Sequence, residues 1–125
     1  MITVKQALKI HDLAIQKYGG GTGVRDLSLL ESSIHRPFAT FDNQELYPHA
    51  IDKASAIIES IVKNHPFADG NKRTGYILMR LFLLKNQKDI KASQKEKYEF
   101  VVKIASGKID FDEIKEWIEK RVFET

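Results

Sequence analysis

An all-α domain with one small extended flap is predicted by three features of this sequence. Apolar residues recur at helical spacing along most of the chain. The breaks between those stretches carry capping residues, glycine or proline. Only the segment from Phe38 to Tyr47 favours extended structure.

Length and composition bound the rest. A chain of 125 residues is a single domain, 1–125, with one core and too little length for a second. Leu, Ile, Val, Phe and Ala are plentiful and both signs of charge are mixed, so the chain should fold. The net charge of +3 is modest and no block of like charges forms a tail, so no direct nucleic-acid partner is expected. The absence of cysteine excludes disulfides and thiol chemistry and makes a reducing, cytoplasmic compartment the simplest expectation. Val4-Lys5-Gln6 interrupts any apolar start, so no signal peptide is expected. The apolar run after Arg73 is broken by Arg80 and is too short for a bilayer, so no membrane association is expected either.

The elements follow in order. Thr3 is placed as the N-cap of a first helix, with Ala7, Leu8, Ala14, Ile15 and Tyr18 at helical spacing until Gly19-Gly20-Gly21 ends it. His11 lies inside this helix and is expected to be partly exposed rather than a ligand. Asp26 caps a short helix with Leu27, Leu29, Leu30 and Ile34 on its apolar side, stopped by Pro37. His35 and Arg36 read as a surface turn, with a supporting role at the mouth of a site as the alternative. In the extended segment, Asp42-Asn43 reads as its turn. Pro48 suits the first turn of a long amphipathic helix carrying Ala50, Ile51, Ala54, Ile57, Ile58, Ile61 and Val62, with an exposed His49 near its start. Residues Gly75 to Leu84 are apolar nearly all round, as in a helix buried at the centre of a domain. Lys85 to Asp89 is a polar exit. Ser93 with Glu96, and Asp110 with Glu113, form capping boxes for two last helices; the first holds Phe100, Val101, Ile104 and Ala105 and ends at Gly107, the second is expected to turn Ile114, Trp117, Ile118 and Val122 inward.

Chemistry is concentrated in the loop His65 to Thr74, between the long helix and the central one. If Gly70, Asn71 and Lys72 begin a helix, its first turn offers unpaired N–H groups and the positive end of the dipole to an anion such as a phosphate. Gly70 permits a tight turn and close approach, Lys72 adds charge, and Arg73 is able to hold two phosphate oxygens. Asp69 is a hard oxygen ligand of the kind magnesium shares with phosphates. His65 is a residue type that serves as a base toward a hydroxyl. Each residue alone has an ordinary reading, as a turn or a solvated cation; their joint occurrence shifts the odds toward a site for phosphates.

The run resembles the signature of the Fic/Doc family, His-Pro-Phe-x-Asp/Glu-Gly-Asn-x-Arg, each fixed position being met by His65, Pro66, Phe67, Asp69, Gly70, Asn71 and Arg73. Lys72 stands where adenylylating Fic enzymes carry glycine, and Tyr76 where they carry a second arginine. Both departures resemble the Doc branch, the death-on-curing toxins of toxin–antitoxin pairs. Gly19-Gly20, Gly23-Val24-Arg25-Asp26, Leu29-Leu30-Glu31-Ser32, Arg36-Pro37 and Leu46-Tyr47-Pro48 also look like Doc-type sequence, so the resemblance covers nearly the whole chain and weakens toward its C-terminal end.

The resemblance implies a compact Fic-like helical bundle around a central buried helix. It implies a kinase that uses ATP and magnesium to modify a threonine of elongation factor Tu and so blocks translation, restrained by a Phd-like antitoxin. In that reading His65 is the catalytic base, Asp69 the magnesium ligand, and Gly70, Asn71, Lys72 and Arg73 bind the nucleotide. Adenylyl transfer by the same loop and a non-catalytic binding protein stay open as alternatives. Ser55 and Glu59 have the spacing of the Ser-x-x-x-Glu inhibitory motif of self-restrained Fic enzymes. Ser60 replaces the Gly or Asn expected there and the segment lies within the helix before the loop, so the match is read as chance.

Overall fold

Every helix but one begins where a side chain accepts from its unpaired N–H groups. In the computed structural model, which describes residues 1–125, α1 (Val4–Tyr18) starts at Thr3, whose Oγ1 accepts from the Gln6 N–H while the Gln6 side chain accepts from the Thr3 N–H. α2 (Leu27–His35) is capped by Asp26, which accepts from the Leu29 N–H at 3.0 Å. Pro37 then turns the chain through a single 3₁₀ turn, Arg36–Phe38. The flap follows as an antiparallel hairpin, β1 (Thr40–Phe41) and β2 (Gln44–Glu45), with Thr40 opposite Glu45. Its turn residues Asp42 and Asn43 both have positive φ, the backbone of a tight hairpin turn.

α3 (Ala50–Asn64) begins after His49, whose N–H donates to the Asp52 carboxylate at 3.2 Å. The exception is α4 (Asn71–Lys85), which starts at Gly70 with no side-chain cap. After it come β3 (Lys88–Ile90), α5 (Gln94–Ala105), α6 (Phe111–Glu119) and β4 (Val122–Glu124). The capping boxes of Ser93 with Glu96 and Asp110 with Glu113 are both formed, and Gly107, at φ +73°, follows the end of α5.

α3 and α4 form the centre of the bundle. Ile57, Ile58, Ile61 and Val62 of α3 meet Leu78, Met79 and Leu83 of α4, all buried. The two helices pack tightly at Gly75, where a Cβ would lie 2.9 Å from Val62 Cγ2 and 3.3 Å from Ile61 Cγ2. α5 and α6 close the core with Phe100, Ile104, Ile114 and Ile118, and the Phe100 ring stacks on the half-buried Trp117 at 3.8 Å. Fully burying each such side chain is worth about 1.5–3 kcal/mol, which is what holds helices this short together.

Several sequence expectations are corrected. Pro48 precedes the N-cap of α3 instead of occupying its first turn, because the His49 N–H is used by Asp52 to start the helix one step later. Leu27 is half exposed, since Leu30, Ser33 and Ile34 are the residues that α2 turns inward. Phe38 belongs to the 3₁₀ turn and not to the flap. The polar exit from α4 contains a strand: Gln87, at φ +58°, turns the chain so that Lys88, Asp89 and Ile90 pair antiparallel with Glu124, Phe123 and Val122. Asp89 is fixed there by both arms of Arg80, at 2.8 and 3.0 Å, while Ile90 enters the core.

Candidate active site

Three stretches, two of them remote in sequence, build the loop between α3 and α4. The first is the run Gly23–Asp26, which pairs with it as a short strand would. The Arg25 and Asp26 N–H groups both donate to the Pro66 carbonyl, at 2.8 and 3.0 Å, and the Ala68 N–H donates to the Gly23 carbonyl at 3.1 Å. Arg25 also reaches across the end of α3: its Nε donates to the His65 carbonyl at 2.6 Å and its Nη2 to the Asn64 carbonyl at 2.7 Å. A cation at this helix end satisfies orphan carbonyls and complements the dipole. His65 itself is the C-cap of α3, exposed, and held at φ +50°, ψ +56°. For a residue other than glycine that backbone is strained.

The second stretch lies within the loop itself. Phe67 is fully buried, and Asn71 grips its backbone from both sides, Oδ1 accepting from the Phe67 N–H at 3.0 Å and Nδ2 donating to the Phe67 carbonyl at 3.1 Å. The Asn71 side chain is thereby turned inward. What it presents to the site is its backbone N–H.

The third stretch is α1 with the glycines that follow it. The Asp69 carboxylate accepts from the Gly21 N–H at 3.0 Å through Oδ2 and from the Gly70 N–H at 2.8 Å through Oδ1. Those two N–H groups, Gly21 first, hold its pKa below the ordinary carboxylate value, so it is anionic at neutral pH. Gly20, at φ +116°, has a backbone that favours glycine, and a Cβ there would sit 2.8 Å from Asp69 Oδ2. His11, expected to be partly exposed, is buried at 1 % exposure. Its ring stacks on Phe67 at 3.9 Å with the planes 4° apart, and its Nε2 donates to the Asp69 carbonyl at 2.8 Å.

At the start of α4 the first intrahelical bond is from the Thr74 N–H to the Gly70 carbonyl at 2.9 Å. The N–H groups of Asn71, Lys72 and Arg73 therefore have no helical partner, and no side chain caps them. Gly70 supplies the left-handed turn, φ +75°, that aims them outward. Lys72 is exposed and near enough to Asp69 to favour its charged form. Arg73 is exposed with its guanidinium 4.0 Å over the Tyr18 ring, a cation–π contact that holds the plane of the fork.

Tyr76 and Arg36 make their contacts away from the loop. Tyr76 packs under Lys97, its hydroxyl buried without a partner and its electrostatic neighbours Arg80, Asp89, Arg121 and Glu96. Arg36 is not a surface turn: it binds Glu59 at 2.8 Å, Ser60 Oγ at 2.9 Å and Tyr47 Oη at 3.0 Å, tying the base of the flap to α3. Glu59 is thus engaged by Arg36 and, at 3.3 Å, by Lys63, while Ser55 donates to the Ile51 carbonyl.

The donor set suits magnesium better than zinc. No group of three or more His, Cys, Asp or Glu side chains is gathered anywhere, so an ion here would rest on one carboxylate and take its other ligands from phosphate and water. An anionic carboxylate beside three uncapped N–H groups and two cations could receive a polyphosphate with its metal.

The Fic/DOC family model matches residues 1–83, and the chain belongs to that family. It is similar to a protein named Toxin Doc from Mycolicibacterium smegmatis, 42% identical over 66 residues that make up 53% of this chain and 51% of that protein. That match thus spans about half of the relative's length. It is also similar to a protein named Protein kinase doc from Escherichia phage P1, 27% identical over 113 residues, 90% of this chain and 88% of that protein.

The sequence pointed to the loop but not to His11, Arg25 or the glycine run as its supports. For His11 a signal existed, since it falls four residues after Ala7 and four before Ile15, on the same buried stripe of α1.

Proposed function

We propose that the protein is a Doc-like toxin of a toxin–antitoxin pair, an ATP-dependent kinase that phosphorylates a threonine of elongation factor Tu in the cytoplasm. A Phd-like antitoxin is its proposed partner. The observation that carries this reading is the uncapped N-terminus of α4 set beside an anionic Asp69. The names borne by the two relatives support the toxin and kinase parts.

In this reading the N–H groups of Asn71, Lys72 and Arg73 and the two cations would receive the phosphates, and Asp69 would hold a magnesium ion, which when bound supplies neutralisation of phosphate charge. His65 accepts the proton of the attacking threonine hydroxyl as its oxygen bonds to the γ-phosphorus and the bond to ADP breaks. Rigid placement of His65 by Arg25 serves that step. Tyr76, turned toward α5, leaves Lys72 and Arg73 as the cations of the first turn, which favours transfer of the γ-phosphoryl over AMP, whose departing pyrophosphate needs a further clamp.

The test is incubation of the protein with purified elongation factor Tu and ATP labelled at either the γ- or the α-phosphate, followed by mass spectrometry of the target. Label from the γ-position on a threonine is expected. Label from the α-position would make the enzyme an adenylyltransferase, and no label with no nucleotide binding would make it a binding protein.

A further inference from the structure

We infer that His11 is a positioning residue that sets the orientation of the Asp69 carboxylate through the peptide bond between Asp69 and Gly70. This rests on the reading of Asp69 as the group that faces magnesium and phosphate. The geometry is two-ended. The carbonyl oxygen of that peptide accepts from His11 Nε2 at 2.8 Å, and the N–H on its opposite edge donates to the Asp69 carboxylate itself at 2.8 Å. A peptide unit is planar, so fixing its oxygen fixes the direction of its N–H. His11 therefore aims the carboxylate without touching it.

Because the acceptor is a carbonyl, His11 carries its proton on Nε2. The ring cannot turn to release that bond, being stacked at 3.9 Å on Phe67 and almost wholly buried. Phe67 is in turn held by Asn71 through both its backbone groups. α1 adds a steric stop: the place of a Gly70 Cβ is 3.1 Å from Ile15 Cδ1 and 3.7 Å from His11 Nε2, so the turn is pressed against this face of the helix. With Gly21 holding the second carboxylate oxygen, both oxygens are aimed by groups anchored to α1 or its C-terminal extension. A buried histidine whose donor is spent on a left-handed glycine turn at a charged group is poorly explained by packing alone, for which a phenylalanine would serve.

Two variants separate positioning from packing. His11→Phe keeps the stack on Phe67 and removes the donor; His11→Gln keeps an N–H near the position of Nε2 and removes the ring. The first readout is amide hydrogen exchange of Gly21 and Gly70 in the free protein, which needs no nucleotide. The second is binding of ATP with Mn²⁺ by calorimetry. The inference expects His11→Gln to retain amide protection and to bind within about threefold of the parent, and His11→Phe to lose both, with metal-nucleotide affinity down about tenfold or more, as for other groups that orient a metal ligand. Unaltered protection in a folded His11→Phe, or lost protection in a folded His11→Gln, overturns it. Should the parent bind no metal-nucleotide, the kinase reading fails while the exchange comparison still decides what His11 does.

Discussion

Arg25 donates to the His65 carbonyl at 2.6 Å, joining the segment before α2 to the residue proposed as catalytic base. The same guanidinium reaches Asn64, so it closes the C-terminus of α3 and fixes the peptide that carries the imidazole. Arg25→Ala should cost about 1 kcal/mol in stability, the order of a helix-end cation or one hydrogen bond. It should lower the rate constant of transfer more than it weakens ATP binding. Equal losses in both would mean that Arg25 supports the nucleotide and not His65.

His65 sits in the left-handed region, where a side chain is a liability. His65→Gly is therefore expected to abolish transfer and to raise thermal stability, by about 1 kcal/mol, the lower end of the strain such a residue stores. His65→Ala should abolish transfer without that gain. A glycine variant less stable than the parent would show that the imidazole contributes to the fold.

Asp69 has a lower pKa in the folded chain than its ordinary value, because the Gly21 and Gly70 N–H groups prefer it charged. Such a group contributes stability above its unfolded pKa, and that contribution is lost as pH falls through the folded one. Asp69→Asn should flatten the acid limb of a stability profile below about pH 4 and abolish the magnesium dependence of transfer. Should activity fall with the magnesium titration intact, Asp69 would be a turn residue only.

The Tyr76 hydroxyl is buried without a partner, and burial pushes its pKa from 10.0 to about 12. The unfolded chain ionises first, so stability present below pH 10 is lost as pH rises toward 12. Tyr76→Phe should be neutral or stabilising at pH 7 and should shift alkaline unfolding upward, as followed by circular dichroism. Lower stability at pH 7 would reveal a partner for the hydroxyl, such as a bound water.

Gly75→Ala places a methyl 2.9 Å from Val62 Cγ2. Overpacking of this kind costs about 1–3 kcal/mol, against the gain of about 1 kcal/mol that alanine brings to a helix interior. Net destabilisation is expected by chemical denaturation. A stabilised variant would mean that α3 and α4 slide apart freely.

What the sequence made legible were its local devices. Thr3, Asp26, Ser93 and Asp110 cap the helices they were expected to cap, since a cap and its target N–H lie within three residues. The loop was legible for the same reason, as its residues are consecutive. The supports were not. His11 acts on a residue 58 positions away and Arg25 on one 40 positions away, and neither carries a local signature of that contact. Arg36, beside a proline, looked like a turn because its partners Tyr47, Glu59 and Ser60 belong to later elements. The strand Lys88–Ile90 is too short for periodicity, and its partner lies near the far end of the chain.

The contact of Gly75 with Val62 bears on the history open to this chain. The two residues face each other between the helix that delivers His65 and the helix that follows Gly70, where the packing leaves no room for a Cβ at position 75. A lineage able to enlarge position 75 must first have made position 62 smaller, and the reverse order passes through a destabilised ancestor. Among descendants the two positions are expected to vary together, large with small, although neither touches the chemistry.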